Sequence, residues 1–480
     1  MRSILQAALL PIFLLTPSLT LSQTDQAPMP NMPGMQMNSP EAADRNMMKP
    51  PSNLIDTILN HTTSGTSAEP ASSPVPMLMR SYRGWMLMLH GTAFVSDIQQ
   101  QATANPTGPS FATCEQFNLP CSPPERRGGD KLFSTNWIMP MAMRQLGPGQ
   151  LTLRAMFSLE PATITGRQFP ELFQQGETAY GTPIVDGQHP HDFVMELGAL
   201  YDLPLTEHML LTLYAAPVGD PAIGPTAYPH RLSASEDPIA ALGHHQQDST
   251  HIAFNVMTAG LSYKTLRLEA SGFHGAEPTE ARWHFQPSPN GVTPDSFSGR
   301  ITWAPTANIA AQYSIAHLTG PESLVPKDDE TRQTASIMYN RPIGIHHDTT
   351  SMPGMSMSTP ATGNWSNTFV WGQAKALPTN LVANSYLLES LLTLGRNSFW
   401  TRIEVAARTS ELLAPAPAIE TGVGHVQAYT LGYDRSYHFA PHLDAAPGAQ
   451  FTQYRTSDAL TPIYGRTPFS AVIFVRFRIR

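Results

Sequence analysis

LTLRAMFSLE, residues 151–160, decides the fold. In an extended chain Leu151, Leu153, Ala155, Phe157 and Leu159 share one side. Thr152, Arg154, Ser158 and Glu160 share the other. One face is wholly apolar while its opposite carries ionisable groups. The same two-residue period recurs along the chain. WMLMLHGTAFV (85–95) sets Trp85, Leu87, Leu89, Ala93 and Val95 against Met86, His90, Thr92 and Phe94. FVMELGALYDL (193–203) sets Phe193, Met195, Leu197, Ala199 and Tyr201 against Glu196 and Asp202. TLRLEASGF (265–273) and FWTRIEVA (399–406) place Arg267, Glu269, Arg402 and Glu404 on the polar side.

A soluble sandwich also alternates, so alternation alone leaves two architectures open. Strand length separates them. The segments run about 10–14 residues, longer than the usual five or six of soluble sheets. Trp137, Trp303, Trp371 and Trp400 fall near segment ends, as in an interfacial girdle. Very short connections at 147–150, 204–207 and 305–308 alternate with long ones at 161–192 and 218–250. These features predict an all-β, transmembrane antiparallel β-barrel of about 16 strands, within a range of 12–18. Strand starts are expected near 84, 131, 150, 193, 208, 251, 264, 295, 308, 331, 364, 381, 398, 422, 443 and 467. An even count puts both barrel ends on the periplasmic side and makes 343–364 an unusually long periplasmic connection.

The N-terminal MRSILQAALLPIFLLTPSLTLSQT reads as a secretory signal over residues 1–22, with Thr20 and Ser22 before a cut at Gln23. Residues 23–80 are rich in Pro, Met and Ser and are expected to form a flexible periplasmic arm, with the barrel at 81–480. Charged residues make up only 14% and the net charge is −8, which excludes nucleic acid as a partner. The two cysteines, Cys114 and Cys121, are compatible with one small disulfide loop in an oxidising compartment and exclude a thiolate metal site.

ETAYGTPIVDGQHPHDF (177–193) holds Asp186, His189, His191 and Asp192. The next long connection supplies His230, His244, His245 and His251. Imidazole beside carboxylate suits zinc, copper, nickel or iron. The topology opens both connections on the same side, so these residues are candidate metal ligands; hydrogen-bonded stapling of the loops is the competing reading. A second candidate set is soft. Met29, Met32, Met35 and Met37 recur at short spacing, and Met352, Met355 and Met357 follow His346 and His347. Thioethers in Pro-rich segments select Cu(I) or silver. Copper is therefore the expected metal. Enzyme motifs are incomplete: there is no HExxH and no GxSxG, although Ser249, His251 and Asp248, or Ser271 and His274, offer hydrolase-type groups.

Three resemblances follow from these residues. PFSAVIFVRFRIR (468–480) resembles the amphipathic last strand that assembly machinery recognises in outer-membrane barrels, though it ends in Arg480 with its nearest aromatic at Phe477. The tracts MPNMPGMQM and MPGMSM resemble those of bacterial copper-resistance proteins, whose outer-membrane member is a barrel with a Met-rich arm. GRQFPELF, DGQHPHDF and GHHQQDSTH resemble uncharacterised outer-membrane proteins of environmental bacteria. The resemblances imply the bacterial outer membrane as location, with membrane lipid, the barrel-assembly machinery and periplasmic copper-handling proteins as partners. The function they imply is copper-type metal binding, efflux or resistance. A barrel-embedded metal-dependent or serine hydrolase and a structural barrel or general porin are the alternatives.

Overall fold

The computed structural model describes residues 51–103, 127–248, 253–284, 293–323, 325–344, 362–377, 379–409, 412 and 423–480. The expected signal peptide, residues 23–50 of the arm, Cys114 and Cys121 lie outside them.

Sixteen antiparallel strands close into one barrel. In chain order they are β1 (Trp85–Gln101), β2 (Gly128–Leu146), β3 (Gly149–Phe157) and β4 (Val194–Thr206). Then come β5 (Met209–Gly219), β6 (Ala253–Tyr263), β7 (Leu266–His274) and β8 (Ser296–Thr306). β9 (Ile309–Leu318), β10 (Asp329–Ile343), β11 (Gly363–Leu377) and β12 (Val382–Leu394) follow. β13 (Asn397–Thr409), β14 (Val423–Arg435), β15 (Leu443–Thr456) and β16 (Phe469–Ile479) complete it. Closure is made by β1 with β16, from Thr92 opposite Arg478 to Gln101 opposite Phe469. No sheet edge is left for most of the wall, which is what a lipid-embedded sheet requires. Below Thr92, β16 ends and the short strand Leu78–Tyr82 takes over the free edge of β1.

Alternation does what the sequence implied. Ile337, Phe369, Leu388, Ile403 and Tyr429 are cross-strand neighbours from β10 to β14 and all face outward as one apolar row. Aromatics ring the short-turn rim: Tyr339 meets Trp365 at 5.9 Å and Phe399 meets Tyr433 at 5.0 Å, with Trp303 half exposed beside them. Two residues expected in that girdle turn inward. Trp400 is 4% exposed and donates to Gln450, and Trp137 packs on His90 and His230. Met195 is a third reversal. A register shift opposite Met156 and Phe157 inserts an extra residue in β4 and flips Met195 inside.

Residues 51–77 are not a free arm. Helix α1 (Leu54–Asn60), capped by Asn53, enters from the short-turn end and buries Leu54 and Ile58 against Leu210, Ala310 and Met338. The chain then threads the lumen. His61 meets Asp202 at 2.5 Å, and Arg154 donates to the carbonyls of His61, Thr63 and Gly65. Low hydrophobicity suggested disorder; the polar wall supplies the partners that let this segment fold.

Leu388→Arg places a charge in the middle of the apolar row. It is expected to cost about 2–4 kcal/mol, read as a lowered urea midpoint for the protein refolded in lipid vesicles, whereas Leu388→Phe leaves the midpoint nearly unchanged.

Candidate metal centre

The β3–β4 and β5–β6 connections leave the rim opposite the short turns, and their described residues pack inside the wall. Each buried backbone group there needs a partner that water cannot provide. Inward strand side chains provide them. Leu172 N donates to Gln100, Ala222 N to Ser271, Gly224 N to Ser314 and Leu242 N to Glu404. Arginines bind the same connections from both sides: Arg300 donates to Gly224 O, Arg402 to Ile239 O and Arg478 to Ser235 O. Arg231 runs the other way, from the β5–β6 connection to Glu389 of β12, with bonds of 2.8 and 3.1 Å.

The centre forms where two connections meet. Between β3 and β4, the two-residue ribbon of Phe169–Pro170 with Gly187–Gln188 brackets a second ribbon, Glu177–Ala179 with Thr182–Ile184. Folding back in this way brings the carboxylate of Glu177 under Gln188 Nε2 at 2.6 Å and under His189 N at 2.8 Å. The β5–β6 connection contributes one helical turn, His244–Gln247. It carries His245 Nε2 to 3.2 Å from Glu177 Oε1. His244 Nδ1 lies 2.7 Å from Ala241 O and 3.2 Å from Gln174 Nε2; donation to the nearer carbonyl leaves a lone pair on Nε2. Ligand-type atoms of Glu177, His244 and His245 all lie within 4.8 Å of one another. Donors around a tetrahedral ion with bonds near 2 Å are about 3.4 Å apart, so small side-chain rotations close this set on one ion. His189 Nε2, 3.6 Å from Glu177 Oε1, is the nearest further donor.

Burial sets the protonation of these imidazoles. It drives His244 well below the usual histidine range, with His245 as a second cause. It pushes His245 down to about 3, helped by Arg332 and Arg408. His189 is likewise down to about 3, by burial and Arg282. Neutral imidazole is the form that ligates metal.

The sequence-derived candidates divide. His189, His244 and His245 converge on Glu177. His191 goes to Glu160, Nδ1 to Oε2 at 2.9 Å, and its Nε2 faces Tyr228 OH at 3.3 Å. Asp186 staples the loop by accepting from Phe173 N, Tyr464 OH and Arg127. Asp192 pairs with Arg282 at 3.0 Å, and His230 leans on Trp137 and Met156. His251, His346, His347 and the methionines 29, 32, 35, 37, 352, 355 and 357 lie outside the described residues. Of the hydrolase-type groups, Ser271 bonds Ala222 N and Thr258, and His274 bonds Asp295. Glu177 was not among the expected ligands. Its only sequence signal is an acid at the head of the histidine-bearing run.

The chain is thus a transmembrane β-barrel of the bacterial outer membrane, with a filled lumen. Its outline is similar to that of solved porins. An anion-selective porin from Comamonas acidovorans aligns with a TM-score of 0.44 at 10% identity, covering 82% of this chain and 100% of that one. Salmonella typhi OmpF, in a complex with daunomycin, gives 0.44 at 8%, covering 84% and 100%. A loop-deletion form of Vibrio cholerae OmpT gives 0.41 at 9%, covering 82% and 99%. No protein-family model and no curated protein matches.

Arg231→Met leaves Glu389 charged and buried, which is expected to cost about 3–5 kcal/mol. The β5–β6 connection should then be cut by added protease many times faster than in the native barrel. The double change Arg231→Met, Glu389→Leu should restore part of the resistance, because the strongest broken pair is removed whole and Arg402 keeps Asp237 at 3.1 Å.

Proposed function

We propose that this protein is a porin-type outer-membrane barrel whose filled lumen binds a transition-metal cation at Glu177, His244 and His245. The observation that carries this reading is the mutual approach of those three groups, two of them neutral imidazoles on a turn braced by Ala241 O. The carboxylate supplies the counter-charge that a cation taken out of water needs. Nitrogen and oxygen donors favour Zn(II), Ni(II) or Cu(II). Copper-type handling is the finer form of the reading. In it, Met29, Met32, Met35, Met37, Met352, Met355 and Met357, with His346 and His347, gather soft metal on the periplasmic side from copper-handling proteins there. Asp186, Asp192, His191 and His230 meet other partners: Tyr464 and Arg127, Arg282, Glu160, and Met156.

The sixteen-strand porin-type closure supports a second reading, a structural barrel or general porin. Metal content and conductance separate the two. The purified protein, loaded with Zn(II), Ni(II) or Cu(II) in turn and desalted, is expected to keep one equivalent that His244→Gln with His245→Gln loses. The same protein is expected to show no large steady conductance in planar bilayers. Absence of bound divalent metal together with open-pore current would select the porin.

Acid dependence gives an independent check. Ordinary histidine ligands lose metal below pH 6.5, where protons compete. Here burial holds His245 down to about 3 and His244 well below the usual histidine range, so protons do not compete until lower pH. Metal retention is therefore expected to stay flat from pH 8 to about pH 5, measured by chelator competition across that range.

A further inference from the structure

Among the described residues eight methionines are buried, and seven of them belong to β1–β4: Met86, Met88, Met139, Met141, Met143, Met156 and Met195. They face the lumen, and the first five are in register. Met86 lies opposite Met143, Met88 opposite Met141, and His90 opposite Met139. Successive rungs are therefore about 7 Å apart along the wall. Met156 belongs to the next strand, where its neighbours Arg154 and Phe157 pair with Met141 and Ile138. The bulge in β4 adds Met195 to the same group.

Methionine also serves as a flexible core filler, and gap-filling would account for the thioethers alone. It does not account for the histidines. His90 is 4% exposed, and its Nε2 has no hydrogen-bond partner. Such a buried nitrogen ordinarily finds one. His230 turns its Nε2 toward a sulfur, Met156 Sδ at 3.4 Å. The two rings lie 5.5 Å apart with Trp137 against both. A cavity of about 110 Å³ opens beside them, lined by His90, Trp137, Met195, Tyr228 and His230. Two cations stand near: buried Arg154 is matched by Glu196 at 2.6 and 3.0 Å, and Arg478, which lines the cavity, is matched by Glu236 at 2.7 Å, so they leave little net positive charge against an incoming ion.

We propose that the inner wall of β1–β4 is a thioether–imidazole track that takes a soft monovalent cation, Cu(I) or Ag(I), with its tightest position at His90, Met139 and Met141. Linear, trigonal or tetrahedral sulfur and nitrogen sets suit these d¹⁰ ions, whereas hard cations gain nothing from a thioether. Site and chemistry both differ from the Glu177 centre. The proposal also owes nothing to the methionine tracts outside the described residues.

Silver is the probe, since it needs no reductant. Full-length protein in detergent is titrated with Ag(I) by calorimetry and compared with Met88→Leu, Met139→Leu, Met141→Leu combined, which nearly conserves core volume. The variant is expected to lose one equivalent or to bind it at least tenfold more weakly. His90→Gln alone is expected to weaken the same equivalent. Silver-soaked crystals of the native protein are expected to give an anomalous peak bounded by His90, Met139 and Met141, which decides the matter even where the triple variant does not fold. Unchanged affinity and stoichiometry in folded variants would overturn the proposal, as would silver found only at the tracts around residues 29–37 and 352–357. A Glu177→Gln, His244→Gln, His245→Gln protein is expected to keep this silver while losing divalent metal, so failure of one site is distinguishable from failure of the other.

Discussion

Arg231 sits 1% exposed inside the barrel, and its guanidinium reaches Glu389 of β12 through two bonds. Glu389 also meets Arg402 at 3.3 Å, and Arg402 meets Asp237 at 3.1 Å. This chain of alternating charge crosses from the inserted β5–β6 connection to the wall and back. Lone charges in such a place would cost several kcal/mol each. Matched, they fix where the insert sits. The same rule repeats around the wall with Arg154 and Glu196, Arg300 and Glu269, and Arg476 with Glu236 and Asp434. Because the insert is fixed, Glu177 and the turn at His244 can meet; the metal centre depends on the charge lattice more than on any local motif.

The lattice also explains why the polar face of the strands carries so many ionisable groups. A water-filled pore needs only a few charges for selectivity. Here Arg267, Arg300 and Arg154 grip the carbonyls and hydroxyl of residues 61–66, a segment with little apolar surface of its own. Its backbone oxygens act as the ligands of the arginines. Each side makes burial of the other tolerable, and neither would be stable alone.

Strands were legible in the sequence because lipid and lumen impose opposite demands at alternate positions. The fourteenth strand, expected near 422, begins at Val423, and the seventh, expected near 264, begins at Leu266. The even count likewise put the long 343–364 connection at the short-turn end, where residues 344 and 362 lie. Local periodicity failed where register changed. One inserted residue sent Met195 inward, and no composition rule marks such a bulge. It failed again at Trp137 and Trp400, since an aromatic near a strand end reads the same on either face. The inserts were illegible for a different reason. Pro, Ser and Thr over 61–76 look like linker until the wall's arginines are known to face them. Two of the three groups of the candidate centre could be read, His244 and His245; Glu177 could not, because its approach depends on two ribbons folding back across a dozen residues.

A filled sixteen-strand barrel restricts what can cross it. Withdrawal of residues 61–66 would strip Arg154 of three carbonyl partners and Arg300 of Thr66, and release of the β5–β6 connection would split Arg231 from Glu389. Each separation leaves buried donors or acceptors with fewer partners, so piecewise opening is costly. Among the described residues a cavity of about 110 Å³ lies against β1 and β2, beside His90 and Trp137, with room for a handful of waters. A solute that needs a wide aqueous channel finds none there. A bare or nearly bare ion that exchanges water for thioether and imidazole fits it, and the inner wall presents those groups in register from that gap down to Met86 at the short-turn rim.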